Sequence, residues 1–213
     1  MTAPAAEKYT VTVPGRPGIL DMSEALTGDV VYHNGALTAV FAFSSDMPDW
    51  HKLYSKILTY LHGRKRCIVV DTDPLWYYEG RCSVSSVRED GVYSTFTITA
   101  DVYPYKRTLQ STVEPWLWDP FDFVEGIVPD YLADLTIPAG GTLTVTAHRE
   151  LSMAISPMIA VDQPCTLEFG GKTYTLAAGN NEDVLWLEAG ENILTFAADA
   201  ETALRIEFRE GTL

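Results

Sequence analysis

Apolar side chains in this chain follow two periods, and one stretch follows the longer of them. They fall at Trp50, Leu53, Tyr54, Ile57, Leu58 and Leu61, a spacing that puts a single stripe along an α-helix. Asp46 reads as its N-cap and Pro48 as a first-turn residue, so the predicted helix runs from about Pro48 to Leu61. Gly63 stands where a glycine ends a helix, and Arg64, Lys65 and Arg66 follow near the negative end of the dipole. The stripe is expected to pack on a sheet of the same half of the chain.

Elsewhere the period is two. Tyr9 to Val13 alternates and runs into Pro14-Gly15-Arg16-Pro17-Gly18, a loop by its turn chemistry. Thr38 to Phe43 reads as a buried strand, and Cys67 to Asp71 as a strand leading into a turn at Asp73-Pro74. Trp76 to Val87 is aromatic-rich and then alternating. Asp90-Gly91 is a two-residue hairpin signal, and Val92 to Tyr103 alternates until Pro104 ends it. In that strand Ser94, Phe96, Ile98, Ala100 and Val102 share one face, and Tyr93, Thr95, Thr97, Thr99 and Asp101 the other.

From residue 131 the chain is short strands between glycine and proline turns. They are predicted at Tyr131–Ile137, Thr142–Ala147, Met153–Val161, Cys165–Phe169, Lys172–Leu176, Val184–Leu187, Asn192–Ala197 and Leu204–Phe208. Gly140-Gly141, Gly170-Gly171 and Gly179-Asn180-Asn181 punctuate them. Eight strands at this spacing fit a β-sandwich of jelly-roll type. The fold class is therefore mainly β, all-β with one helix.

Charge divides the chain. Residues 1–110 hold 11 basic and 12 acidic side chains, net −1, whereas residues 111–213 hold 4 and 17, net −13. That break predicts two domains, 1–110 and 111–213, with a seam in Gln110 to Phe121 where Pro115 and Pro120 interrupt any period. A net charge of −14 argues against nucleic acid or an anionic membrane as partner. No apolar run approaches the roughly 18 residues that a membrane span requires, and the start lacks the pattern of a secretory signal. A soluble protein made in a reducing cytosol is the expectation. Cys67, Cys82 and Cys165 agree with it: they are odd in number and far apart, and read as free thiols, with Cys67 and Cys82 as small buried apolar groups on adjacent strands.

Candidate chemistry is sparse. His33, His51, His62 and His148 are scattered without an HExxH and read as surface or cap residues. Asp71 and Asp73 read as the end of a strand and the start of a turn rather than as a carboxylate pair. The basic run Arg64–Arg66 reads as helix capping and subunit contact. Trp116, Trp118, Phe121 and Phe123 alternate near the seam and could stack on a sugar or pack between domains. No GxSxG, P-loop or GxGxxG is present. The reading is thus of a protein that is not an enzyme, with no catalytic, cofactor-binding or metal-ligating residues and no cofactor.

The order of segments in the first half goes further. It runs from Pro14-Gly-Arg-Pro-Gly-Ile-Leu-Asp21 through Leu26-Thr-Gly28 and Phe41 to Ser44, then Trp50 and Leu61-His-Gly63-Arg-Lys. Asp71-Thr-Asp-Pro74-Leu-Trp-Tyr-Tyr-Glu-Gly80-Arg81 follows, and Asp101-Val-Tyr-Pro104-Tyr-Lys106 closes it. Over about residues 1–107 this resembles the distal tail protein (Dit) family of siphovirus tails, usually met in prophages of Gram-positive hosts. The resemblance implies an N-terminal tail-tube-like β-sandwich with a flanking helix and a C-terminal galectin-like sandwich. It further implies a baseplate protein of the virion: a hexameric ring at the distal end of the tail tube. That ring would be an attachment hub for the tail tube protein, tip proteins and receptor-binding proteins. The second half is short, so an inserted arm or carbohydrate-binding module is not expected. A different class of function, a carbohydrate-binding β-sandwich module, would use Trp116, Trp118 or Trp186 as stacking platform; against it, the second half shows no cluster of His, Asn and Arg on one strand.

Overall fold

A computed structural model describes residues 3–25, 30–44, 49–90, 93–115 and 130–213. Leu26–Gly28, Asp46, Pro48, the hairpin tip Gly91-Val92, and Trp116, Trp118, Phe121 and Phe123 lie outside the described residues. The chain is mainly β, and it divides into two compact units. The first is Met1–Ile68 and Tyr78–Lys106 with Leu213, the second Val69–Tyr77 and Arg107–Thr212.

In the first unit β1 (Thr10–Val11) pairs with β2 (Leu20–Asp21) around the Pro14–Gly18 turn, a shorter strand than the alternation predicts. β3 (Gly35–Ser44) leads to α1 (Trp50–Leu61), β4 (Lys65–Val70), β5 (Asp73–Val84), β6 (Arg88–Asp90) and β7 (Tyr93–Val102). β7 pairs antiparallel with β3 along one side and with β5 and β6 along the other. The predicted inner face holds: Ser94, Phe96, Ala100 and Val102 are buried, while Tyr93, Thr99 and Asp101 are exposed.

Three expectations change here. The apolar run from Thr38 to Phe43 is not a buried strand. β3 pairs with β7 alone among the described strands, and Val40 and Phe41 are 68% and 45% exposed. Composition reports that a run wants cover but not whose cover it receives. The turn expected at Asp73-Pro74 lies at Asp71-Thr72, because Asp73 already opens β5. α1 begins at Trp50, with Asp49 at the N-cap in a left-handed conformation (φ 68°), its carboxylate on Lys52 Nζ at 2.7 Å instead of on a backbone N–H. No residue of α1 is buried. Trp50 meets Phe43 at 4.9 Å, Tyr54 meets Phe96 at 5.8 Å, and Leu61 packs against Cys82, Ala100 and Val102. Leu53 lies off this line and is 45% exposed.

The second unit takes the Asp73–Tyr77 part of β5, which pairs with β8 (Lys106–Thr108). It continues with β9 (Leu135–Ile137), β10 (Gly141–Arg149), β11 (Met158–Val161), β12 (Cys165–Phe169), β13 (Lys172–Leu176), β14 (Gly179–Asn181), β15 (Gly190–Ala198), β16 (Thr202–Glu207) and β17 (Gly211–Thr212). Two antiparallel four-stranded sheets, β10-β15-β12-β13 and β14-β11-β16-β9, enclose one core in which Ile137, Ile159, Leu167, Leu194, Phe196 and Ile206 are fully buried. This is the predicted eight-strand sandwich with one member exchanged. Val184–Leu187 makes a single bridge, Leu187 to Ile155, and the Gly179–Asn181 segment that reads as a turn is the strand instead. Asn181 explains the exchange, since its side chain satisfies backbone groups of Ala177, Gly179 and Ile159. The Met153–Val161 strand is confined to Met158–Val161, after Pro157, which has no N–H for a ladder. Tyr131–Ile137 is likewise strand only from Leu135.

The described start of the seam packs into the second unit. Ser111 and Thr112 are buried; the Thr112 hydroxyl donates to the Ile206 carbonyl (2.8 Å) and accepts from the Phe208 N–H (3.1 Å).

Candidate assembly site

Leu61-His62-Gly63 and Gly80-Arg81, two of the segments that carry the resemblance, meet at the exit of α1. The His62 N–H closes the last turn on the Leu58 carbonyl, and Gly63, at φ 72°, turns the chain away. β5 then grips that exit by several bonds. The Gly63 N–H donates to the Cys82 carbonyl (2.8 Å) and the Cys82 N–H to the Arg64 carbonyl (2.9 Å). Arg81 donates from Nη1 to the Gly63 carbonyl at 2.6 Å, and His62 Nδ1 accepts the Val84 N–H at 3.1 Å. Gly80 is glycine for a steric reason, since a Cβ there would stand 2.3 Å from the Asp101 carbonyl oxygen of β7.

Two of the three cations of the basic run are spent locally. Arg66 donates from Nε and Nη2 to the Tyr60 carbonyl (3.2 and 2.7 Å) and lies 4.4 Å over the Tyr60 ring. That is the capping expected of a cation near a helix C-terminus. Lys65 pairs with Glu79 at 2.6 Å, and the hydrogen bond it donates to that carboxylate raises its pKa above the ordinary value.

Burial is distributed unequally between the units. Of the 24 buried apolar side chains among the described residues, five (Cys82, Val84, Phe96, Ala100 and Val102) belong to the first unit. Of the 18 exposed large apolar side chains, 13 belong to it, among them Tyr9, Ile19, Val40, Phe41, Tyr60 and Tyr93.

No protein-family model matches the chain, and no curated protein matches it in sequence. Among solved structures it is similar to the Dit protein of phage SPP1, described as a paradigm of the hub adsorption apparatus in phages infecting Gram-positive hosts. The match covers 100% of this chain and 90% of that one, with a TM-score of 0.57 at 12% identity. The chain has a Dit-like fold.

Within the Dit-like fold the candidate residues stay apart. His33, His51 and His62 are exposed, on the approach to β3, on α1 and at its C-cap. His148 on β10 pairs with Asp130 (Nδ1 to Oδ2, 3.0 Å); that bond, with Glu191 and Glu150 nearby, raises its pKa. Among the described residues no group of three His, Cys, Asp or Glu could hold a metal, and no helix is long and apolar enough to cross a membrane. The three cysteines are free. Cys82 and Cys165 are buried, and burial pushes their thiol pKa up, but Cys67 is exposed, contrary to the buried reading, because its side chain falls on the outer face of β4.

Glu210 was invisible to sequence reasoning. Its side chain is buried and accepts the N–H groups of Glu150 (3.0 Å) and Leu151 (3.2 Å); burial, the dominant cause, raises its pKa. Nothing local in Arg209-Glu210-Gly211 signals that the segment closes the end of β10.

Proposed function

We propose that the chain is a structural protein of a phage tail tip, closing into a ring at the distal end of the tail tube. In this reading residues 1–110 carry the ring contacts. Residues 111–213 project outward as the hub to which tip and receptor-binding proteins attach. The observation that carries it is the inverted burial of the first unit, whose exposed apolar residues need a cover that its own thin core does not provide. The charge division supports the same assignment. Contacts that repeat around a closed cycle are heterologous but join copies of one unit with the same net charge, which a net of −1 tolerates and a net of −13 opposes. The Dit-like fold supports it independently, through the hub role given for the SPP1 protein. A hexameric ring in the virion, seated on the tube protein, is the concrete form of the proposal.

The test uses the full chain. Native mass spectrometry and light scattering are expected to find a ring-sized oligomer, lost when Val40 on the exposed β3 becomes Asp. Ile193→Asp on the exposed face of β15 should leave it intact. A monomer at high concentration, or an assembly broken by the Ile193 variant and not by the Val40 variant, would overturn the assignment.

A further inference from the structure

The surface around the end of α1 keeps positive charge that no capping bond uses. Trp50–Leu61 carries His51, Lys52 and Lys56 and no Asp or Glu, in a chain of net −14. Lys56, Arg64 and Arg66 converge on a groove of about 420 Å³, completed by Ser55, Thr59 and Tyr60. Among the described residues no carboxylate lines it. Lys56 and Arg64 are exposed, and among the described residues neither side chain has a partner.

The other polar groups of the groove are already oriented. Ser55 Oγ donates to the His51 carbonyl and Thr59 Oγ1 to the Ser55 carbonyl, both at 2.8 Å. These hydroxyls turn lone pairs to the groove, with their protons spent on the helix. Arg66 keeps only Nη1 beyond its bonds to the Tyr60 carbonyl. A ligand therefore meets one ammonium, one open guanidinium and the edge of a second.

Apolar surface runs beside this charge. Leu53 and Tyr60 are 45% and 64% exposed, and with Lys56 they stand at i, i+7 and i+3 on one face of the helix. That face differs from the one on which Trp50, Tyr54 and Leu61 meet the sheet.

We propose that this groove docks an acidic segment of a separate polypeptide, its carboxylates on Lys56 and Arg64 and an apolar side chain against Tyr60 and Leu53. Charge complementarity selects the sign of the partner, and the open fork of Arg64 matches a carboxylate bidentately. Exposed tyrosine beside arginine is the composition of a protein-binding surface. A nucleic acid draws on an extended basic track, and an anionic membrane on clusters of about four to eight cations. Lys56, Arg64 and Arg66, within a chain of net −14, fall short of both. A short acidic segment escapes the distant negative charge, which salt screens over about 8 Å. The proposal does not rest on the tail-tip reading, since oligomeric state and peptide binding are measured separately.

The test follows a short labelled peptide of Glu, Asp and Leu by fluorescence anisotropy against the full chain. Further arms are the same peptide with Gln and Asn for its acids, a single-stranded oligonucleotide, and vesicles rich in phosphatidylglycerol. The acidic peptide is expected to bind, about tenfold or more tighter than its amide counterpart. Its affinity should fall as salt rises from about 50 to about 300 mM. Lys56→Glu and Arg64→Glu should each weaken it by about tenfold or more, whereas Lys172→Glu, the same charge change on exposed β13, should leave it unchanged. Melting temperatures and light scattering of the two groove variants should match the parent, as both side chains lie in solvent. Equal binding of the amide peptide, full binding by the groove variants, or an equal loss in the Lys172 variant would overturn the proposal. Preference for the oligonucleotide or the vesicles would do the same, as would a changed oligomeric state in the groove variants, which would make these cations contacts between copies.

Discussion

Asn192 holds the backbone of Glu188 in the same grip that Asn181 puts on Ala177. In each case the side-chain oxygen accepts the N–H of the residue four positions earlier, at 2.7 Å for Asn192 and 3.0 Å for Asn181. The amide donates to the carbonyls of that residue and of the intervening glycine, Gly190 or Gly179, and across to a neighbouring strand. Both glycines have positive φ, 89° and 106°. The device lets a tight turn enter a strand without leaving buried peptide groups unpaired.

Asn192 is 2% exposed, so removing its amide strands several polar groups in the core. Asn192→Ala is expected to cost about 2–4 kcal/mol, given about 1–3 kcal/mol for a buried group left unpaired. Asn181→Ala, in a more exposed turn, should cost clearly less. Denaturant unfolding of the two variants checks the order; equal losses would contradict it.

The exit of α1 makes a second prediction. Gly80→Ala would drive a methyl into the Asp101 carbonyl, so β5 or β7 must shift, at about 1–3 kcal/mol or more. Arg81→Ala removes one charged hydrogen bond at an exposed site and should cost about 1 kcal/mol or less. Thermal melts should therefore rank Gly80→Ala well below Arg81→Ala. A Gly80 variant as stable as the parent would show that the close approach is not what selects glycine there.

What was legible in the sequence follows from the range of each signal. The stripe from Trp50 to Leu61 and the Ser94 to Val102 face are local periods, and both elements stand where they are predicted, apart from the first turn of the helix. The sandwich strands are also local, except where a side chain overrules composition: Gly179-Asn180-Asn181 reads as a turn until Asn181 pairs it to β11. Burial was misjudged for Thr38 to Phe43 and for Cys67. Apolar character states a preference for cover, and only the sheet order shows that β3 has one neighbour among the described strands. Contacts spanning about a hundred residues, such as Thr112 with Ile206 and Arg209 with Leu109, carry no local signature.

Thiol chemistry separates the three cysteines. In the native chain Cys67 should react with a colorimetric disulfide reagent within minutes, while Cys82 and Cys165, buried and with raised pKa, should wait for unfolding. One fast thiol and two protected ones is the expected count. Three fast thiols would mean that the Cys82 and Cys165 environments open readily.

Glu210 makes stability depend on pH in a direction opposite to that of a surface carboxylate. Burial raises its pKa, with the Glu150 charge adding to that rise, while the Glu150 and Leu151 N–H groups and Arg149 oppose it. The folded state therefore holds the proton more tightly than the unfolded chain does. Between the ordinary carboxylate pKa and the raised one, the folded state binds more protons, so this group's contribution to stability falls as pH rises through that window. Above the raised pKa the full penalty of a buried charge is present. Glu210→Gln keeps an acceptor for one of the two N–H groups and cannot ionise. The melting temperature of the variant minus that of the parent should become more positive from pH 4.5 to pH 7.5, and a difference that stays constant or falls would remove the buried charge as its cause.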